Sequence, residues 1–164
     1  MTWAAIAILG YVTLERLAEL IFANNNTRRL LANGATEHAA GHYPFIVAVH
    51  ALWLATLWFL ASDRTPDLFW LAIYVLLQVA RLWVLSTLGP RWTTRIIILP
   101  GEDLVKEGPY RFLNHPNYWV VIGEIAVLPL VFGLPWVALV FTILNIAVLI
   151  VRVREENRAL RSSR

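Results

Sequence analysis

Apolar residues run through this chain in five long blocks separated by short polar stretches. A membrane span needs about 20 predominantly apolar residues, within a range near 17–25. The blocks predict spans near 3–23, 44–62, 67–88, 117–133 and 135–153. Asn24 to Gly41 forms the first polar connection, Asp63-Arg64-Thr65-Pro66 the second, and Gly89 to Pro116 the third and longest. Gly133-Leu134-Pro135 predicts a tight turn, so the last two spans form a helical hairpin. The fourth block is short and is expected to lie partly inside the bundle. This is an all-α pattern: a polytopic helical membrane protein with about five transmembrane helices, read as one domain over residues 1–164. No internal repeat or low-complexity tract is visible, and five unequal spans do not split into the matching halves of many transporters.

Within the third connection, Thr94-Arg95-Ile96-Ile97-Ile98-Leu99, then Pro100-Gly101 and Leu104-Val105-Lys106, predict a short hairpin or folded-back cytoplasmic flap. After it comes Gly108-Pro109-Tyr110-Arg111-Phe112-Leu113-Asn114-His115-Pro116-Asn117-Tyr118, a polar, turn-forming stretch set directly against an apolar block. Pro109 and Pro116 fix backbone angles and interrupt helix there. Broken backbone at a membrane edge survives only inside protein or beside a cavity, which marks this stretch as a candidate site.

Composition strengthens the membrane reading. Hydrophobic residues make up 59% of the chain and the mean hydropathy is +0.60, against about 45–50% apolar in soluble domains. The eight tryptophans suit an interfacial belt. Cysteine is absent, which excludes disulfides, thiolate catalysis and cysteine-ligated metal. The four histidines, His38, His42, His50 and His115, form no zinc-binding pattern, so no metal site is expected. The net charge of +3 is spread between the apolar blocks, which points to orientation in a bilayer and not to nucleic-acid binding. Arg28 and Arg29 lie in the first connection, and Arg91, Arg95, Lys106 and Arg111 in the third. The tail holds Arg152, Arg154, Arg158, Arg161 and Arg164, whereas the opposite side carries only Arg64. Lys and Arg favour the cytoplasm, so the amino terminus is expected outside and the carboxyl terminus inside. Met1-Thr2-Trp3 offers no basic leader, so the first block is expected to remain as a helix.

Ionisable residues inside spans are costly and point to function by default. Glu15 and Glu19 lie one turn apart on the first span with Arg16 between them; their plain role is an ion pair locking helices near the inner leaflet. His50 lies eight residues after His42, roughly on one face. Gln78 and Arg81 share a face of the third span, where Arg81 has the length to snorkel to the cytoplasmic edge. Glu124 is too short to snorkel and must be paired, protonated or facing a polar cavity. On the fifth span Thr142, Asn145, Leu149, Arg152 and Glu156 fall at steps of three or four, one stripe that reads as the wall of a cavity open to the cytoplasm.

The Gly108 to Tyr118 stretch, followed by Arg152 to Leu160 with its Glu155-Glu156 pair, resembles the isoprenylcysteine carboxyl methyltransferase family of membrane enzymes. Asn33-Gly34-Ala35-Thr36-Glu37, His42-Tyr43-Pro44 with His50, and Gly89-Pro90-Arg91-Trp92-Thr93 are similar to its small bacterial branch. Where the family has Arg before His-Pro, this chain has Asn114, with Arg111 nearby as a substitute cation. The resemblance implies S-adenosyl-L-methionine-dependent methyl transfer to a lipophilic acceptor at the cytoplasmic face of a bacterial plasma membrane. It implies that Tyr110, His115, Pro116 and Tyr118 border the cofactor, with Arg152 alongside and Glu155 or Glu156 closing the pocket. A sulfonium favours aromatic faces and carboxylates, which these residues supply.

The acceptor divides the expectations. An ionised carboxylate of isoprenylcysteine type needs only a cationic anchor, for which Arg81 or Arg111 is the candidate. A hydroxyl profits from a base, for which His50, His42 or Glu124 is the candidate. The small bacterial branch is associated with long-chain alkylpyrones and alkylresorcinols, which favours the hydroxyl. The rival readings are a small transporter using the intramembrane charges, a structural adaptor, and a membrane reductase binding a nicotinamide cofactor.

Overall fold

The computed structural model describes residues 2–101, 103 and 105–162, so Leu104 of the expected flap and Arg164 of the tail lie outside it. Five helices run in alternating directions: α1 (Trp3–Ala32), α2 (Tyr43–Ala61), α3 (Leu68–Leu88), α4 (Pro116–Val131) and α5 (Pro135–Ser162). The chain is an all-α membrane protein. Three helical stretches, Ala40–Ala61, Leu68–Arg91 and Pro135–Arg161, are long and apolar enough to cross a bilayer. α1 has the length but carries Glu15, Arg16 and Glu19, and α4 is apolar but only 16 residues long.

One end of the bundle, the turn end, is held by main-chain and capping bonds. The Thr2 amide donates to Ser62 O (2.8 Å) and the Asp67 amide to Val131 O (2.7 Å). The Asp67 carboxylate caps α3 through the amides of Phe69 and Trp70. Gly133 takes φ +64° in the α4–α5 turn, as Gly-Leu-Pro predicts. Leu9, Val12, Trp53, Leu57, Ile125, Leu128 and Phe132 form the apolar core towards this end. Lipid-facing positions are correspondingly apolar, as at Phe59, Leu68, Trp136 and Ile143. α4 is buried on most sides, from Pro116 and Val120 to Val131. It sees protein rather than lipid, so its length need not match a bilayer, in line with the expectation from its short block.

At the opposite, flap end, α1 and α5 run on as helix past the predicted limits of 23 and 153. Asn24 to Thr27 stay helical because tertiary bonds satisfy them: Asn26 Nδ2 donates to Gly89 O (3.1 Å) and Trp92 O (2.9 Å). Part of the expected hairpin or folded-back flap beyond Pro100-Gly101 lies outside the described residues. Its strand, β2 (Ile96–Ile98), pairs antiparallel with β1 (Thr36–His38) of the first connection, with Glu37 opposite Ile97. A strand needs an edge to pair with, and the one available comes from 60 residues earlier in the chain. Glu37 then reaches Arg95 Nη1 at 3.0 Å, and the Arg95 guanidinium lies over the Tyr43 ring at 4.8 Å.

Candidate active site

Two polar clusters and an apolar cavity between them make up the site. The first cluster forms where α4 begins and α5 passes beside it. Pro116 opens α4, with His115 preceding it and Tyr118 on its first turn. Tyr118 Oη accepts from Arg152 Nε (2.8 Å) and donates to Glu156 Oε2 (2.5 Å). The His115 ring stacks on Tyr118, centroids 5.0 Å apart and planes 12° apart, and its Nδ1 lies 3.8 Å from the same Glu156 oxygen. Arg152 Nη1 also donates to Thr94 O at 2.6 Å, tying α5 to the segment entering β2. The i, i+3 and i+4 spacing of α5 puts Leu149, Arg152 and Glu156 on the inward face, as the stripe predicts. Asn145 is likewise buried.

The other expected cofactor residues spread out from this cluster. Glu155 turns away and pairs with Arg158 (2.6 Å), which leaves Glu156 as the inward carboxylate of the pair. Tyr110, on a 3-10 turn (Gly108–Arg111), packs against the buried Ala23, Val84 and Trp92. Burial, followed by the charge of Glu156, raises the pKa of its hydroxyl, so Tyr110 is a neutral hydrogen-bond donor at physiological pH. Arg111 is exposed, and its guanidinium lies 5.9 Å from the Phe112 ring centroid. Gly108 is required here: it takes φ +53°, and a Cβ would stand 2.4 Å from Thr87 Oγ1.

The second cluster sits in mid-bundle and joins α1, α3 and α4. Arg81 does not snorkel. Its Nε and Nη2 fork onto the Glu19 carboxylate, and its Nη1 donates to Glu124 Oε2 at 2.8 Å. Arg16 Nη2 lies 2.8 Å from the same Glu124 oxygen, and Arg16 Nη1 is 3.2 Å from Glu19 Oε2. Gln78 Nε2 donates to Glu15 Oε1 at 2.5 Å. Glu124 is 1% exposed, so it is paired and fully enclosed.

Between the clusters lies a cavity of about 270 Å³. Arg16, Glu19 and Arg81 line it on one side, Tyr118 and Arg152 on another, and Leu17, Leu20, Ile46, Val47 and Leu54 supply apolar wall. His50 also lines it; its Nδ1 donates to Ile46 O (2.8 Å), which leaves the lone pair of the neutral ring on Nε2. Of the residues singled out for the acceptor, His50 and Arg81 therefore meet at the cavity, while Glu124 stands behind Arg16 and Arg81. His42 is apart, its Nδ1 bonded to Ala39 O. Sequence reasoning missed the roof, where Tyr43 Oη and Thr94 Oγ1 lie 3.2 Å apart beside Trp92 and Thr93. No spacing rule joins residues 43 and 94; only the β1–β2 pairing does.

The fold and site define a polytopic helical membrane protein whose spans enclose an amphipathic cavity reaching from mid-bundle to a polar cluster at one end. The chain belongs to the isoprenylcysteine carboxyl methyltransferase family, whose model matches residues 70–162. That match takes in α3, the flap, the Tyr118 cluster and α5. An uncharacterized protein of Bacillus subtilis (strain 168), YpbQ, is 39% identical over 98% of this chain and 96% of its own length. An uncharacterized protein of Haemophilus influenzae is 25% identical over 88% of each chain. No solved structure matches the chain significantly.

Proposed function

We propose that this protein is an S-adenosyl-L-methionine-dependent methyltransferase of the plasma membrane, acting on a lipophilic acceptor at the cytoplasmic face. The observation that carries the proposal is the Tyr118–Arg152–Glu156 cluster, with His115 stacked on Tyr118, opening onto an apolar cavity. Placing the flap end in the cytoplasm follows from its basic residues, set against Arg64 alone at the turn end.

The residues fit a sulfonium cofactor. His115 and Glu156 are part-exposed, so the cluster is reachable from the flap end. Asn117, which lines the cavity beside Tyr118, keeps a buried Oδ1 with no hydrogen-bond partner, ready for a donor such as an ammonium or an amino group. When bound, the cofactor supplies an electrophilic methyl group. Tyr118 and His115 offer ring faces to the cation, Glu156 its charge, and Tyr110 a neutral hydroxyl. Transfer of this kind is an in-line displacement, to which the protein contributes mainly by positioning.

For the acceptor, the geometry favours a hydroxyl, as in an alkylpyrone or alkylresorcinol, over a carboxylate. Arg81, the expected anion anchor, already has its guanidinium engaged by Glu19 and Glu124, which leaves no unmatched cation there for an acceptor carboxylate. His50 Nε2 is the base within reach of the cavity. The apolar wall suits an alkyl chain.

Calorimetry on protein in lipid nanodiscs tests the proposal. Saturable S-adenosylmethionine binding is expected, lost or weakened at least tenfold in folded His115→Ala and Glu156→Gln proteins. Folded wild type that binds none in either lipid or detergent removes the proposal and makes flux assays for a small transporter the next step.

A further inference from the structure

The mid-bundle cluster carries an odd number of charges. Among the described residues, Glu15, Glu19 and Glu124 face only two guanidiniums, those of Arg16 and Arg81. The surrounding titratable groups among the described residues add no further cation of fixed charge: His50 on α2 keeps Nδ1 on a carbonyl, and the Tyr74 hydroxyl on α3 lies beside Arg16. Fully ionised, the cluster is one charge negative in the middle of a membrane bundle, a costly state that one proton removes.

The bonding identifies where that proton sits. Glu19 is forked by Arg81 and also held by Arg16, and both arginines meet on Glu124 Oε2. Glu124 Oε1 is buried without a hydrogen bond, but its other oxygen takes two guanidiniums at 2.8 Å. Glu15 differs in having no such cation: its strong partner is the neutral amide of Gln78, and its Oε2 has no hydrogen bond and stands 4.0 Å from Arg16 Nη2. Gln78 Oε1 is also buried without a partner. An amide can turn over, so Gln78 serves Glu15 in either state, donating to the carboxylate through Nε2 or accepting from the acid through Oε1.

We infer that Glu15 is the counter-charge for a cation in the cavity: it holds a proton while the cavity is without a cation and gives it up when a sulfonium enters. Arg16 and Glu19, its neighbours in the cluster, line the cavity directly. A unit cation within about 10 Å shifts the proton affinity of such a group by roughly tenfold in a protein interior. Glu15 thereby discriminates between the sulfonium cofactor and its neutral thioether product, and favours release of the spent molecule. The inference rests on the proposed function in one respect: a cofactor held at the Tyr118 cluster turns its sulfonium towards the cavity.

Calorimetry at pH 7 in two buffers of different ionisation enthalpy reads the proton directly. S-Adenosylmethionine is expected to release up to about half a proton more than S-adenosylhomocysteine, the most that a tenfold shift in proton affinity can give. In Glu15→Gln that difference disappears, and the preference for the sulfonium over the thioether narrows roughly tenfold, while homocysteine-form binding persists. Gln78→Leu, which removes the switching amide but keeps the carboxyl, reduces the proton difference without abolishing it. Equal proton release by the two ligands in wild type, or an unchanged difference in Glu15→Gln, overturns the inference and leaves the methyltransferase proposal standing. If neither ligand binds folded wild type, the proposal itself falls, and the inference with it.

Discussion

Arg81 shows how much a single buried side chain holds here. It is 5% exposed and engages two carboxylates on two other helices. Removing one partner of a buried ion cluster leaves uncompensated charge, at about 3–5 kcal/mol. Arg81→Leu is therefore expected to lower unfolding stability in micelles by that order, with Arg81→Lys in between, because a lysine cannot reproduce the fork. Tyr118→Phe keeps the ring stack and deletes the hydroxyl shared by Arg152 and Glu156; S-adenosylmethionine affinity is expected to fall about tenfold, with a stability loss of about 1–3 kcal/mol because buried Arg152 loses an acceptor. Tyr110 gives a pH signature. Its pKa is raised in the folded state, so the stability it contributes is complete below the unfolded value near 10 and is lost as pH rises above it. Stability read by unfolding from pH 8 to 11 is expected to fall above about pH 10, and less so in Tyr110→Phe.

Close approach decides matters at the level of elements. α3 and α4 meet at Gly123, where a Cβ would stand 2.8 Å from Leu77 Cδ2. That atom ends a flexible side chain, so Gly123→Ala is expected to cost about 1 kcal/mol, and Gly123→Ile, which must part the helices, about 1–3 kcal/mol. Gly108→Ala meets both a left-handed backbone and Thr87, and is expected to disturb the Tyr110 turn and cofactor binding more than global stability; limited proteolysis of residues 99–116 reads the first effect. The existence and order of the five helices are legible in the sequence, because lipid demands long apolar blocks and the prolines and glycines mark their ends. The ends of α1 and α5 are not legible, because Asn26 stays helical through bonds to Gly89 and Trp92, far away in sequence. The strand at Ile96–Ile98 shows as a β-branched run, but its partner Thr36–His38 carries no comparable signal.

Across the whole molecule, charge separates the two ends. The absence of cysteine makes the orientation directly measurable. A cysteine placed at Thr65 is expected to react with a membrane-impermeant maleimide on intact cells, and one at Asn157 only after lysis. The reverse pattern would put the cluster on the outer face, away from a cytosolic cofactor. The candidate site was half visible at this scale too. Tyr118, His115 and Glu156 stand out as a motif, and the α5 stripe shows in its spacing. The assignment of Arg16, Glu19, Arg81 and Glu124 to one cluster needs three helices in register, which no single block encodes.

The latch between Arg152 and Thr94 ends on a carbonyl oxygen rather than on a side chain. Every amino acid brings that oxygen, so residue 94 is free to vary without loosening the tie. The roof of the cavity can thus be rewritten over generations, with new side chains at positions 93 and 94 to suit other acceptors, while the machinery below is inherited intact. Related chains sharing the Tyr118 and Glu156 positions are accordingly expected to diverge first in what they modify, and last in how.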